Sequence, residues 1–196
     1  MKPAPALLLG LALLQPVDRL DVAVQRAVQD RRAPAWDRVM QAATDLGRRD
    51  VLATALLGIA VLDPVAGPAT VRLALVGLAA TNLIAEGLKI ATNRTRPDGV
   101  RKRSDSSFPS GHASSAVCLA WVLWRRWRRL GWALWPLAAA VAWSRVYLNK
   151  HFLSDAVCGA AIGALCTWAL LNLRALEPIR RWAAGAPGAT RGDPGA

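Results

Sequence analysis

The amino-acid sequence predicts an all-α fold: an integral-membrane bundle of five or six transmembrane helices, preceded by amphipathic helices at the membrane interface. Three observations support this prediction. Hydrophobic residues make up 54% of the 196 residues and charged residues 19%, which is a smaller charged share than in average soluble proteins. The apolar residues are gathered in long runs that are separated by strongly charged stretches. Four tryptophans, Trp124, Trp127, Trp132 and Trp135, accompany the arginines at 125–129 between two runs, as aromatic and basic residues do at membrane–water interfaces.

The N-terminal part of the chain has a pattern of its own. The apolar run at residues 4–14 is shorter than the about 20 residues that a helical span needs. It is therefore open whether this run is a true span or a signal-like segment. Residues 17–50 predict two amphipathic helices on the membrane surface, with soluble helix packing as the alternative. Their apolar positions recur at helical spacing on either side of Pro34: Val17, Leu20, Val24 and Val28, then Trp36, Val39, Met40, Ala43 and Leu46.

Five apolar runs after residue 50 are the candidate spans. They cover residues 51–67, 71–91, 110–127, 131–148 and 156–173. The run at 71–91 is the longest, and its length suits a bilayer crossing. Residues 1–184 are therefore expected to form a single domain. Residues 185–196 are rich in Gly, Pro and Ala, a composition that predicts a disordered tail.

The formal net charge of +12 admits three kinds of partner: nucleic acid, an anionic lipid surface or an anionic substrate. The basic residues flank apolar runs and do not form the soluble basic face that nucleic-acid binders present. We therefore expect no nucleic-acid partner. The arginine-rich turn at residues 125–129 is expected on the cytoplasmic side. The opposite ends of the helices would then face outward.

Three cysteines, Cys118, Cys158 and Cys166, all lie within apolar runs. Their number is odd and no CxxC spacing occurs, so neither a disulfide framework nor a thiolate metal site is expected. Free thiols that pack as small hydrophobic side chains are the expected state.

The residues that could carry chemistry are concentrated in three patches at the ends of apolar runs. Ionisable groups beside a membrane are costly to bury, so such positions are candidates for function. The patches are Lys89 with Arg96 and Pro97, the segment Pro109-Ser110-Gly111-His112, and Ser144-Arg145 with His151 and Asp155. Both histidines of the chain fall within them. Two spans separate the second patch from the third, so an alternating bundle brings all three to one membrane face.

Each patch also has an ordinary structural explanation. Lys89 could extend to the interface like any lysine at the end of a span, and residues 109–112 could be a capped helix start. His151 and Asp155 could be a stabilising pair one helical turn apart. The chemical interpretation rests on the residue types, because free amides at a helix start attract phosphate and histidine transfers protons near neutral pH. A carboxylate one turn from His151 can keep one imidazole nitrogen protonated and leave the other free as a nucleophile.

Taken in chain order, the patches follow the patterns KxxxxxxRP, PSGH and SRxxxxxHxxxD. This series resembles the signature of the type 2 phosphatidic acid phosphatase (PAP2) superfamily, and long spaced motifs in a fitting context have a low false-positive rate. All eleven specified positions match, across residues 89–155: Lys89, Arg96, Pro97, Pro109, Ser110, Gly111, His112, Ser144, Arg145, His151 and Asp155. The resemblance implies a membrane-embedded hydrolase, in a bacterial inner membrane with its site facing the periplasm. Its substrate would be a lipid phosphate monoester or a polyprenyl or lipid diphosphate.

The resemblance also implies a role for each motif residue. His151 would attack phosphorus and form a phosphohistidine, Asp155 would orient it, and His112 would protonate the leaving oxygen and later help to activate water. The phosphate oxygens would be bound by Lys89, Arg96, Ser110, Gly111 and Arg145. Pro97, Pro109 and Ser144 would be structural. No metal or other cofactor is implied, and the sequence holds no carboxylate cluster with metal-ligand spacing.

Two other functions are compatible with parts of the pattern. One is a catalytically inactive membrane module that binds lipid phosphate headgroups, and the complete nucleophile and acid set argues against it. The other is a vanadate-binding haloperoxidase-like protein, which would share the pocket but be larger and soluble, and the apolar runs argue against that. Phosphatidate, phosphatidylglycerophosphate, undecaprenyl diphosphate and lipid A phosphate fit the pattern equally, and the oligomeric state is left unspecified.

Overall fold

The computed structural model describes residues 5–100 and 105–185, and this described part is helical, with no strand. The helices are, in order, α1 (Pro5–Gln29), α2 (Pro34–Leu46), α3 (Arg49–Leu62), α4 (Gly67–Thr92), α5 (Gly111–Arg126), α6 (Arg128–Tyr147), α7 (Leu153–Asn172), a short 3₁₀ helix (Arg174–Leu176) and α8 (Glu177–Ala184). The all-α prediction is therefore confirmed.

The two ends of the chain differ from the prediction. The apolar run and the first amphipathic stretch, which the sequence separates, form one continuous helix α1 with Pro16 inside it. At the other end, α8 was not predicted. It is a short helix in which Glu177 pairs with Arg180 and Arg181 one turn away, a spacing that supports an exposed helix. The predicted disordered tail lies outside the described residues, apart from Gly185, which ends α8 in the left-handed region at φ 76°.

Among the described helices, α4 and α7 are long and apolar enough to cross a membrane, with 26 and 20 residues and a mean hydropathy of 1.5 each. Only 28% and 33% of their apolar windows are buried, and outer side chains such as Leu83 and Leu165 are 76% and 64% exposed. The core helix of a soluble protein would be largely covered. α3 and α5 have 14 and 16 residues, which at about 1.5 Å per residue is shorter than a hydrocarbon core of about 30 Å. The number of spans stays a prediction.

α5 is the central helix of the bundle and packs against α4, α6 and α7. One apolar cluster joins it to α3 and α4 at the end remote from the three motifs: Leu56, Ala74, Leu119, Val122 and Leu123. A second cluster joins it to α6 and is built of small side chains: Ala116, Ala120, Ala138 and Val141. Small side chains let helix backbones approach closely, which is how helices associate when lipid supplies no hydrophobic force.

The contact between α5 and α7 is closest at two glycines of α7. A Cβ atom at Gly159 would lie 2.4 Å from the Ser110 carbonyl oxygen, and one at Gly163 would lie 2.2 Å from the Ser114 carbonyl oxygen. Both separations are far below a normal van der Waals contact, so only glycine allows α7 to lie here. This contact brings the start of α5 against the start of α7, where the second and third motifs lie.

Gly163→Ala should therefore destabilise the bundle, because the new methyl group meets a backbone carbonyl that cannot rotate away. Overpacking of this kind costs about 1–3 kcal/mol. The measurement is the thermal unfolding midpoint in detergent. Gly87→Ala on α4 is the matched control, since a Cβ there meets nothing within 4 Å. Equal midpoints for the two variants would contradict the close α5–α7 contact.

Candidate active site

Residues from all three motifs line a single cavity of about 600 Å³ at the end of the bundle where α4 ends and α5 begins. The motif residues that line it are Lys89, Arg96, Gly111, His112, Arg145 and His151. The turn between α2 and α3 closes one side through Gly47 and Arg48. The structure therefore brings together residues that lie far apart in sequence, as the alternation of the helices predicts.

His151 lies in the loop between α6 and α7 and is only 2% exposed. Its Nδ1 atom is 2.6 Å from the Ser107 carbonyl oxygen. A carbonyl oxygen only accepts hydrogen bonds, so Nδ1 carries the proton and Nε2 keeps its lone pair. Burial, followed by the positive charges of Arg96 and Arg145, lowers the pKa of His151 well below its ordinary value. The imidazole is therefore neutral near pH 7, which is the form that can act as a nucleophile.

Asp155 is fully buried and holds His151 through an intermediary. Its Oδ2 atom accepts hydrogen bonds from Ser107 Oγ at 2.5 Å and from the Phe152 N–H at 2.8 Å. The distance from His151 Nδ1 to Asp155 Oδ2 is 3.9 Å, which is too long for a hydrogen bond. The resemblance implies that Asp155 orients His151. In this geometry the connection between them runs through Ser107, whose Oγ donates to Asp155 and whose carbonyl oxygen accepts a hydrogen bond from His151 Nδ1.

The three motif cations differ in their partners. Lys89 Nζ is 2.9 Å from Glu86 Oε1, as the spacing of the two residues allows. The Arg96 guanidinium is fixed by the Asp105 carboxylate at 2.5 Å. Arg145 forms no ion pair with any described carboxylate, and its Nη1 donates to Thr44 Oγ1 at 2.7 Å. Its buried Nε finds no hydrogen-bond acceptor in the described part of the chain, so this guanidinium has donors to spare for a phosphate.

The PSGH segment forms the start of α5. Ser110 is the N-cap residue: its Oγ accepts from the Ala113 N–H, and its own N–H donates to the Asp155 carbonyl oxygen at 3.0 Å. Ser110 is fully buried, so its hydroxyl stabilises the helix start that faces the cavity. Gly111 lines the cavity, and a Cβ there would lie 3.8 Å from Lys89 Nζ. The free amides at this end of α5 and the Lys89 ammonium can therefore bind the same anion.

The motif residues predicted to be structural are mostly enclosed. Pro109 and Ser144 are buried, and Ser144 Oγ donates to the Val141 carbonyl oxygen one turn earlier at 2.7 Å. Pro97 lies within a turn closed by the Arg96 N–H and the Val100 carbonyl oxygen at 3.0 Å.

His112 packs on the turn before α3, where a Cβ at Gly47 would lie 2.9 Å from His112 Cδ2.

Sequence reasoning missed several residues that hold the site. Ser107 acts through its backbone carbonyl, which no residue type specifies. Thr44 lies on an amphipathic helix that was predicted to rest on the membrane surface. Arg94 contacts Asp155 directly, with 2.6 Å between Nη1 and Oδ1, and its position inside the first motif was the signal that could have identified it.

One cavity, in a helical bundle with apolar outer faces, is thus lined by a neutral buried histidine, a second histidine and the three motif cations. An arrangement of this kind suits a class of protein that binds an anionic group such as phosphate. The sequence matches the family model of the PAP2 superfamily over residues 70–177, a little more than half of the chain. The protein therefore belongs to the PAP2 superfamily.

Individual relatives agree with this assignment. The lipid A 1-phosphatase of Porphyromonas gingivalis is 36% identical over 81 residues, which are 39% of this chain and 18% of that protein. The lipid A 4'-phosphatase of the same organism is 35% identical over 60 residues, 30% of this chain and 25% of that protein. The chain thus spans a quarter or less of the length of these curated relatives. A crystal structure of a transmembrane PAP2-type phosphatidylglycerolphosphate phosphatase from Bacillus subtilis superimposes with a TM-score of 0.71 at 28% identity, covering 82% of this chain and 88% of that chain.

Thr44→Val should weaken phosphate binding, because Arg145 loses the side chain that holds its guanidinium. A buried hydrogen bond to a charged group contributes about 1.5–3 kcal/mol, so we expect inorganic phosphate to bind about tenfold more weakly or worse. Isothermal titration of the detergent-solubilised protein measures this directly. Thr54→Val is the matched control, since Thr54 is exposed and its Oγ1 donates to the Asp50 carbonyl oxygen of its own helix. Equal affinities for the two variants would show that Thr44 does not support Arg145.

Proposed function

We propose that this protein is a membrane-embedded phosphatase that hydrolyses a lipid phosphate monoester or a polyprenyl or lipid diphosphate through a phosphohistidine intermediate, without a metal ion. The observation that carries the proposal is the state of His151, which is buried, neutral and hydrogen-bonded through Nδ1 to Ser107. Its free Nε2 belongs to a cavity that Lys89, Arg96 and Arg145 also line. Phosphoryl transfer depends mainly on positioning and charge stabilisation, and this arrangement supplies both.

In the first step, His151 Nε2 attacks phosphorus, and the bond between phosphorus and the lipid oxygen breaks. The leaving oxygen takes a proton from His112, so that a neutral alcohol or a protonated phosphate departs. The three cations and the amides at the start of α5 stabilise the charge that develops on the phosphoryl oxygens. Ser107 keeps the proton on Nδ1, so His151 enters the bond with the lone pair of Nε2 alone.

In the second step, a water molecule attacks the phosphohistidine. His112 is now the base that accepts a proton from this water, and the bond between phosphorus and Nε2 breaks. Inorganic phosphate leaves and His151 returns to its neutral state. In two in-line displacements on the same phosphorus, water enters from the side on which the lipid oxygen left, so one group can be the acid of the first step and the base of the second.

The choice of a lipid substrate is supported by the surroundings of the cavity. α4 and α7 are apolar on their outer faces, so the polar end of the bundle lies beside lipid headgroups. Proteins similar to this chain are named as lipid A phosphatases. A headgroup phosphate can enter the cavity while its acyl or prenyl tail stays in the bilayer, which avoids the cost of removing the tail from lipid.

We further propose that the bundle crosses an inner membrane with five or six spans and that the cavity faces the periplasm. The arginines at 125–129 lie at the opposite end of the bundle from the cavity, between α5 and α6, and carry no role in the proposed chemistry. Basic residues beside a span favour the cytoplasmic side. The charge distribution therefore supports an outward-facing position for the three motifs.

The histidine mechanism predicts that two substitutions will differ in a specific way. His151→Ala should abolish hydrolysis of every phosphate ester, because it removes the nucleophile. His112→Ala should slow the release of an alkyl leaving group by a factor of about 10²–10⁴, the usual contribution of general acid catalysis. It should slow release of nitrophenolate much less, because that group leaves without a proton. Phosphate release from lipid phosphates and lipid diphosphates measures the first effect. The pre-steady-state burst of nitrophenolate from nitrophenyl phosphate measures the second, because phosphate release also needs His112 as the base of the second step. EDTA is present throughout, in detergent.

The same set of substrates also distinguishes the proposed function from its alternatives. Phosphate release that persists in EDTA and disappears in His151→Ala supports the histidine mechanism. The substrate that is hydrolysed fastest then identifies the class of lipid. A folded protein that binds lipid phosphates without releasing phosphate would instead be a headgroup-binding module. Peroxide-dependent halide oxidation after addition of vanadate would indicate the haloperoxidase-like alternative.

The orientation predicts opposite labelling at the two ends of the bundle. Asp98 lines the cavity and Arg128 lies at the other end of the bundle. Each is replaced by cysteine, Asp98→Cys and Arg128→Cys, in a protein from which the three native cysteines have been removed. A membrane-impermeant maleimide added to intact spheroplasts should label the first and not the second. Labelling of both after the membrane is opened is the control, and the reverse pattern in intact spheroplasts would overturn the orientation.

A further inference from the structure

The helix α1 carries a polar stripe that faces the interior of the protein. Asp21, Gln25 and Gln29 are spaced four residues apart and therefore lie on one face of the helix. Asp21 is 1% exposed and Gln25 is 8% exposed, whereas Leu20 on the apolar side is 56% exposed. Gln29 Nε2 donates to the Tyr147 carbonyl oxygen at 3.0 Å, at the end of α6. The helix thus docks by its polar face on the loop that carries His151.

The Asp21 carboxylate binds the first turn of α7. Its Oδ1 accepts from the Ser154 N–H at 2.9 Å and its Oδ2 accepts from Ser154 Oγ at 2.5 Å. The first amides of a helix have no partner within the helix, and a carboxylate is favourable there because of the helix dipole. Asp155 satisfies a second of these amides, that of Phe152. The start of α7 is therefore held by one carboxylate of its own and one from α1.

Arg94 joins these two buried carboxylates. Its Nη2 is 2.8 Å from Asp21 Oδ2, and its Nη1 is 2.6 Å from Asp155 Oδ1. The guanidinium also lies 4.5 Å from the centre of the Phe152 ring. Its backbone is tied to the same place, because the Arg94 carbonyl oxygen accepts from the Ser107 N–H at 2.8 Å. Arg94 thus holds both Asp155 and Ser107, the residues that fix the nucleophile.

We propose that Asp21 and Arg94 are positioning residues for His151, and that α1 is a structural part of the active site. The chain of contacts runs from Asp21 to Arg94, from Arg94 to Asp155 and from Asp155 to Ser107, whose carbonyl accepts the Nδ1 proton of His151. Asp21 and Arg94 do not line the cavity, and neither is one of the specified positions of the three motifs. The inference rests on the proposed function, because it assigns these residues to the nucleophile of that mechanism.

Loss of Arg94 has a consequence that a merely structural role would not have. The Asp155 charge would lose its counterion while remaining 3.9 Å from His151 Nδ1. Coulomb attraction would then favour the imidazolium form, against Arg96, Arg145 and Lys89, which oppose protonation from the other side. The pKa of His151 would rise, and a larger fraction of the nucleophile would be protonated and inactive at mildly acidic pH.

The test compares four variants of the full chain in detergent: Asp21→Asn, Arg94→Gln, Arg94→Lys and Asp18→Asn. Asp18 is the matched control, since it lies one turn earlier on α1 and also pairs with Arg94 at 3.0 Å, but is 66% exposed. We expect kcat to fall about tenfold in Asp21→Asn and about 100-fold in Arg94→Gln, in line with the cost of a misplaced reactive group. KM should change less than about twofold, and Asp18→Asn should retain the wild-type rate, because exposed ion pairs contribute little.

The pH profile distinguishes positioning from simple loss of folded protein. In Arg94→Gln the acidic limb of kcat/KM should move to higher pH, whereas Arg94→Lys restores the charge and should leave the limb in place. The thermal midpoint and the elution volume of each variant show the folded fraction. If Arg94→Gln does not fold, Asp21→Asn and Arg94→Lys still carry the comparison.

Three outcomes would overturn the inference. The first is equal rates for Asp21→Asn and Asp18→Asn, and the second is a loss of rate in proportion to the loss of folded protein. The third is an unchanged acidic limb in Arg94→Gln. Each of these can occur while His151→Ala remains inactive, in which case the proposed function stands and only the positioning role fails. If His151→Ala retains the wild-type rate, the proposed mechanism fails and the inference fails with it.

Discussion

A carboxylate with no solvent exposure is tolerated only when hydrogen bonds and a counterion replace the water it has lost. Asp155 meets this condition with partners from three separate parts of the chain: Arg94 after α4, Ser107 before α5 and the Phe152 amide at the start of α7. Because its partners come from three segments, this one charge ties the positions of those segments to one another. His151 directly precedes Phe152 and its Nδ1 contacts the Ser107 carbonyl oxygen, so the placement of the proposed nucleophile follows from the need to satisfy Asp155.

Asp155 can be satisfied in this way only because the backbones of α5 and α7 approach each other closely. The Ser110 N–H donates to the Asp155 carbonyl oxygen at 3.0 Å, which holds the start of α5 directly on the start of α7. Gly159 and Gly163 make this approach possible, since any side chain there would meet an α5 carbonyl. The amides that face the cavity and the loop that carries His151 are therefore parts of one rigid contact. Precise placement of this kind is what phosphoryl transfer requires of a protein.

The sequence predicted the helices α3 to α7, the convergence of the three motifs and the family, because apolar runs and spaced polar residues are visible in the residue types. It did not predict the role of α1. The amphipathic pattern around Val17 and Leu20 shows which side is apolar, but beside a membrane the apolar side can face lipid and the polar side the protein. The sequence predicted a helix on the membrane surface, whereas in the structure the polar side of α1 faces the protein and Asp21 is buried. The part played by Ser107 was also hidden, because its carbonyl oxygen would be present whatever residue stood there.

The distribution of charge in the cavity bears on how a phosphatase of this kind could release its product. Lys89 and Arg96 are each held by a carboxylate, Glu86 and Asp105, whereas Arg145 has no such partner among the described residues. A cation that is already paired gives up part of its attraction to the carboxylate when phosphate binds, so its net contribution to product affinity is small. The same cation can still stabilise the charge that develops between the attacking and leaving atoms in the transition state, a charge that product phosphate does not carry in that place. In the proposed mechanism, paired cations would therefore favour turnover over retention of phosphate, and Arg145, with no carboxylate partner among the described residues, would supply the initial attraction.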